Sequence, residues 1–130
     1  MNILLIESDE KLLDIYAGML GSMAEISTLG LTEFQIRTDS GKLEKTLQEF
    51  KPDLVIMSIK NLAKAFVTII EHRRCYFQRF PIWVLSGFKT SELHEQFRSA
   101  DLILNKGEHC SAEVIQALVK IQLSYARARK

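Results

Sequence analysis

The sequence predicts an α/β domain built on a doubly wound parallel sheet, and three observations point there. Short unbroken apolar runs recur along the chain, and segments with apolar residues at helical spacing lie between them. The length, 130 residues of which 47% are hydrophobic, suits one domain that buries a single substantial core. A strand covered by helices on both faces reads as a continuous apolar run, and alternating strands and helices close into such a sheet through right-handed crossovers.

Ile3 to Ile6 forms the first apolar run and predicts the first strand. Leu12, Leu13, Tyr16, Met19 and Leu20 then lay one stripe along a helix. The second strand has two candidates, Ala24 to Thr28 and Phe34 to Thr38, and the alternation of the latter favours it. That choice leaves residues 22 to 33 as a long connection with room for an extra strand. It runs into Asp39-Ser40-Gly41, a turn signal that also sets a polar cap ahead of the helix marked by Leu43, Leu47 and Phe50. The third strand is Leu54 to Met57, followed by a helix with Leu62, Phe66, Ile69 and Ile70 on one stripe. Ile82 to Leu85 and Leu102 to Leu104 are the fourth and fifth strands. Leu93 and Phe97 mark a short helix between them, and Val114, Leu118, Ile121 and Tyr125 mark a longer terminal one.

Charge excludes little but directs attention away from polyanions. Seventeen basic residues stand against 16 acidic ones, so neither nucleic acid nor an anionic membrane is implied. Cys75 and Cys110 are far apart and belong to no CxxC pair, which fits reduced thiols in a cytoplasmic protein. The opening Met1-Asn2-Ile3-Leu4-Leu5-Ile6-Glu7 meets an acidic residue too soon for a signal peptide, and no apolar run is long enough for a bilayer. A soluble, cytoplasmic protein is expected, with Tyr125 to Lys130 a point at which a further domain would follow in a longer chain.

In sheets of this kind the working site gathers outside the carboxyl ends of the strands. The residues there are Glu7, Ser8 and Asp9 after the first strand, Ser58 after the third, Ser86 after the fourth and Lys106 after the fifth.

Those four places, in that order, resemble the signature of response-regulator receiver domains of two-component signalling. Ile3-Leu4-Leu5-Ile6-Glu7-Ser8-Asp9-Glu10 is similar to the segment that ends in the family's acidic pair, and Pro52-Asp53-Leu54-Val55-Ile56-Met57-Ser58 to the one that ends in its phosphate-accepting aspartate. Pro81-Ile82-Trp83-Val84-Leu85-Ser86-Gly87 resembles the segment ending in a Thr or Ser, and Asp101-Leu102-Ile103-Leu104-Asn105-Lys106 the one ending in lysine. The resemblance covers essentially the whole chain. It implies one flavodoxin-like receiver domain over residues 1–130, with five parallel strands in the order 2-1-3-4-5 and helices on both faces.

It also exposes departures. The family chemistry needs a carboxylate to attack the phosphoryl group, a divalent ion on oxygen ligands, and a hydroxyl and a lysine to hold the product. Ser86 and Lys106 keep the last two parts. Ser58 replaces the acceptor with a neutral hydroxyl, a poor nucleophile without a positioned base. The acidic pair is reduced to Glu7 and Ser8, so Mg²⁺ is no longer required to balance charge, and Glu7 and Lys106 are expected to pair directly or through water and hold the pocket in one state. Asp9 is the one rescue ligand in reach, but Asp is favoured at a helix N-cap and that role is the stronger expectation. Ile103 stands where receivers usually carry a switching aromatic, and Gly107 where a proline often follows the lysine. Together these imply a pseudo-receiver with a degenerate pocket (Glu7, Ser8, Ser58, Ser86, Lys106), no metal, no cofactor and no catalytic residue.

Remaining features read plainly. Trp83 is expected in the core, and His72, His94 and His109 are expected in solvent. Arg73 and Arg74, and separately Arg127, Arg129 and Lys130, read as solvated helix ends. The Leu93–Phe97 helix, the Ile103 strand and the Val114–Tyr125 helix correspond to the face with which receivers dimerise or dock, unless those side chains only cover the sheet. Two competing functions are a receiver that accepts phosphate on an unusual residue and a flavin- or nucleotide-binding enzyme. The glycine-free, acidic loop Glu7-Ser8-Asp9-Glu10 opposes the latter.

Overall fold

A computed structural model describes residues 1–39, 41–59, 63–86, 99–105 and 112–128. In chain order the elements are β1 (Asn2–Glu7), α1 (Glu10–Gly21), β2 (Ser27–Thr32), α2 (Glu33–Thr38), α3 (Lys42–Phe50), β3 (Leu54–Ile59), α4 (Ala63–Cys75), β4 (Ile82–Ser86), β5 (Leu102–Asn105) and α5 (Ala112–Ala128). The strands form one sheet in the order β2-β1-β3-β4-β5, every pairing parallel. The expected order 2-1-3-4-5 is the observed one. The expected helix at Leu93 and Phe97 lies outside the described residues.

Strand pleating sorts the apolar runs onto two faces. Leu4, Ile6, Val55, Met57, Ile82 and Val84 point to one side, where Leu43 and Leu47 of α3 and Phe66 and Ile69 of α4 cover them. Ile3, Leu5, Leu54, Ile56, Trp83 and Leu85 point to the other, against Leu13 and Leu20 of α1 and Ile115 and Val119 of α5. Trp83 is in the core as expected.

The second strand departs from the expectation. It is Ser27–Thr32, which shares only Ser27 and Thr28 with one candidate, while Phe34 to Thr38 lies within a helix. The helix starts where it does because of a capping box. Gln35 N donates to Thr32 Oγ1 at 3.1 Å, and Thr32 N donates to Gln35 Oε1 at 2.9 Å. Phe34 and Ile36, which a strand would place on one face, separate: Phe34 is 66% exposed, whereas Ile36 packs on the core. The turn after α2 also differs in detail. Lys42 N donates to Asp39 O, but the residue at the start of α3 is Gly41 with φ +83°, which supplies no side-chain cap.

Two readings of α4 are corrected as well. His72 is buried, not solvated, because it follows Phe66 and Ile69 on the same helical stripe, and its ring rests 4.5 Å from that of Tyr76. Arg73 is not a solvated charge: its Nη1 donates to Asp101 Oδ2 at 2.8 Å and to Phe80 O at 3.0 Å. Arg74 is exposed as expected.

Candidate functional site

The carboxyl ends of three adjacent strands bring Glu7, Ser58 and Ser86 to one edge of the sheet. All three are polar and almost wholly buried, at 3%, 2% and 1% exposure, an unusual placement for side chains that need hydrogen-bond partners. Glu7 continues the Ile3–Leu5 row of β1, and Ser58 continues the Leu54–Ile56 row of β3, so both lie on the face covered by α1 and α5. The register of β1 with β3 ends at Ile6 and Met57, the residues directly before Glu7 and Ser58. Ser86 extends the Ile82–Val84 row onto the opposite face, in register with Ile59 on β3 and Asn105 on β5.

The loop after β1 folds back on the site. Asp9 N donates to Glu7 Oε1 at 3.3 Å. The Asp9 side chain turns the other way and accepts from Lys11 N at 2.9 Å and Leu12 N at 3.4 Å. It is therefore the N-cap of α1, as expected, and its Oδ1 already serves two orphan amides. Ser8 is half-buried between them.

Ser58 Oγ is buried and has no hydrogen-bond partner among the described residues. Lys106, and with it the expected pairing with Glu7, lies outside the described residues. Ile103 is half-buried on β5, in register with Val84, and packs on the core between the sheet and α3 and α4. A β-branched chain there fills space and has few rotamers to exchange.

Sequence reading missed one polar residue of this edge. Thr32, buried at the end of β2, is the register partner of Glu7. Its capping-box spacing to Gln35 was the available signal, and its hydroxyl is engaged in that cap.

The donor set decides what the edge can bind. A Mg²⁺ ion prefers carboxylate and water oxygens in near-octahedral array. Glu7 is the one acidic side chain buried at this edge among the described residues, Ser8 and Ser58 are neutral, and Asp9 is committed to its helix. Among the described residues no three His, Cys, Asp or Glu side chains group as metal ligands. These residues do not fit the divalent ion that receivers use. Ser58 offers a neutral alcohol, and an alcohol attacks phosphorus only when a base takes its proton.

The architecture is that of response-regulator receiver domains. Among solved structures, an orphan response regulator of H. pylori superposes with a TM-score of 0.70 at 21% identity, covering 95% of this chain and 96% of that one. A response regulator from Thermotoga maritima gives a TM-score of 0.71 at 13% identity, with 95% and 97% covered. The N-terminal domain of a response regulator/sensory box/GGDEF three-domain protein from Carboxydothermus hydrogenoformans gives 0.70 at 17% identity, with 99% and 98% covered. Neither a protein-family model nor a curated protein sequence matches the chain. The likeness is thus one of fold.

Proposed function

We propose that this chain is an atypical receiver of two-component signalling, a non-enzymatic cytoplasmic module that works through protein–protein contact and takes no phosphoryl group on its third strand. The observation that carries the reading is Ser58, a buried alcohol at the position that the resemblance assigns to the phosphate-accepting aspartate. The fold supports the signalling class, and the degenerate pocket supports the loss of its phosphorylation.

The partner face is α5. Its buried side chains are Ile115 and Val119, whereas Val114, Ile121 and Tyr125 are 38%, 54% and 61% exposed. Those three positions fall along one outward stripe of the helix, an apolar surface available to an output domain, a kinase, a target protein or a second copy of the chain.

Incubation with a small phosphodonor such as acetyl phosphate and Mg²⁺, followed by intact-mass measurement, tests the central claim. The expected result is an unmodified mass under conditions that fully label an ordinary receiver. A stable adduct of one phosphoryl group would instead support a competent receiver with an unusual acceptor, and peptide mapping would locate it.

A further inference from the structure

The carboxyl end of α4 combines a strained aromatic, two exposed arginines and a groove. The helix stops at Cys75, and the chain then turns through Phe77, whose φ of +53° lies in the left-handed region. Gln78 N donates to Arg73 O at 2.9 Å and Phe77 N to Arg74 O at 3.4 Å. These are the paired bonds of a helix stop in which the left-handed residue is ordinarily glycine. Any side chain there crowds its own backbone, so folding favours glycine. Phe77 gains nothing from packing in return, since it is 91% exposed.

Its surroundings are cationic. A groove of about 370 Å³ is lined by Ile70, Arg73, Arg74, Phe77, Gln78 and Arg79. Arg73 is held by Asp101, but Arg74 and Arg79 are exposed and form no ion pair among the described residues. An aromatic knob flanked by exposed guanidinium groups has the composition of a binding hot spot, where aromatic residues and arginine carry most of the energy.

We infer that this surface docks an acidic protein segment that presents at least one apolar side chain. The apolar group covers Phe77, and its carboxylates meet Arg74 and Arg79. The site precedes β4, at the sheet edge opposite Ser58 and Ser86, so it stands apart from the degenerate pocket and does not rest on the signalling role proposed above. Nucleic acid fits less well, because backbone binding recruits many phosphate contacts, and this chain offers two exposed arginines here and a net charge of +1.

Selection from random peptides displayed on phage tests the inference, with the wild-type chain as bait and Phe77→Gly as counter-bait. Enriched peptides should be acidic and carry an aromatic or large aliphatic residue. Synthetic versions should bind at least tenfold more weakly to Phe77→Gly and to Arg74→Glu/Arg79→Glu, and more weakly at high salt. Phe77→Gly should also melt no lower than the wild type, which separates binding from folding. No enrichment over the counter-bait, enrichment of basic peptides, a lower melting temperature for Phe77→Gly, or tighter retention of an oligonucleotide lost in the arginine variant would each overturn it.

Discussion

At the scale of single residues, the proposed function rests on two neutral side chains. On the proposed reading Ser58 stands where the nucleophile would be and Ser8 where a metal ligand would be, so replacing either alone is expected to leave the chemistry incomplete. Ser58→Asp is expected to accept little phosphate from a small donor and to lower stability, because it buries a carboxylate where the serine is 2% exposed. Ser8→Asp together with Ser58→Asp should bind Mg²⁺ at least tenfold tighter, about 1.4 kcal/mol, regain stability when Mg²⁺ is added, and show a phosphoryl adduct by intact mass. Equal labelling of the single and double variants would show that Glu7 alone suffices as the acidic ligand. His72 makes a second prediction at this scale. Burial lowers its pKa below 6.5, against a smaller opposing pull from Glu44. The unfolded chain therefore binds the proton more readily, and this contribution is present above 6.5 and lost as pH falls through the folded-state value. Urea midpoints measured downward from neutral pH should fall more for the wild type than for His72→Gln, and parallel curves would contradict the assignment. The burial of His72 was readable in principle, since it lies three residues after Ile69 on the helix stripe. A single polar residue at a stripe position looks the same in sequence whether it ends the stripe or continues it.

Elements were readable where both faces of a strand are covered. Such strands carry their own signature, and β1, β3, β4 and β5 fell where the apolar runs lie. The second strand is an edge with Ser27 and Leu29 exposed, so its sequence, Ser-Thr-Leu-Gly-Leu-Thr, lacks that signature. The alternation in Phe34 to Thr38 imitated a strand, while the deciding signal was the Thr32-x-x-Gln35 spacing of a capping box. Residue spacing leaves the inward face of α5 equally open. Of Val114, Leu118, Ile121 and Tyr125, Leu118 packs on the core beside Ile115 and Val119, whereas Val114, Ile121 and Tyr125 form a neighbouring exposed stripe. A helix with two apolar stripes does not announce which one faces inward. Gly30 offers a test of β2. A Cβ built there would lie 2.9 Å from Leu13 Cδ1, so the strand and α1 approach closely only because that position has no side chain. Gly30→Val should cost about 1–3 kcal/mol in chemical denaturation through overpacking. Leu13→Ala in the same background should recover part of that loss, a coupling on the order of 1 kcal/mol. Additive losses would place Gly30 away from α1.

At the scale of the whole molecule, the order of strands follows from the alternation of elements and the rule of right-handed crossovers, but what locks the far edge of the sheet does not. That lock is Arg73 with Asp101, partners 28 residues apart in the chain. Arg73 Nη1 bonds both Asp101 Oδ2 and Phe80 O, Ile82 N donates to the same carboxylate oxygen at 2.8 Å, and Asp101 N donates to Ile82 O at 2.9 Å. One ion pair thus joins the end of α4 to the starts of β4 and β5, and sequence reading missed it because a basic pair at a helix end is most often solvated. The side chains are 21% and 45% exposed, so water screens the Coulomb attraction, and what remains is mainly the set of charge-assisted hydrogen bonds. Arg73→Ala is expected to cost about 1–2 kcal/mol. Asp101→Asn should cost less, since the amide oxygen still accepts from Ile82 N. Because β4 and β5 belong to one sheet and share a layer of core with α4, the loss should appear as a lower urea midpoint with an unchanged slope in one cooperative transition. A second transition, or a shallower slope in Arg73→Ala, would mean that β5 separates from the sheet by itself and that the ion pair is what makes the edge fold with the rest.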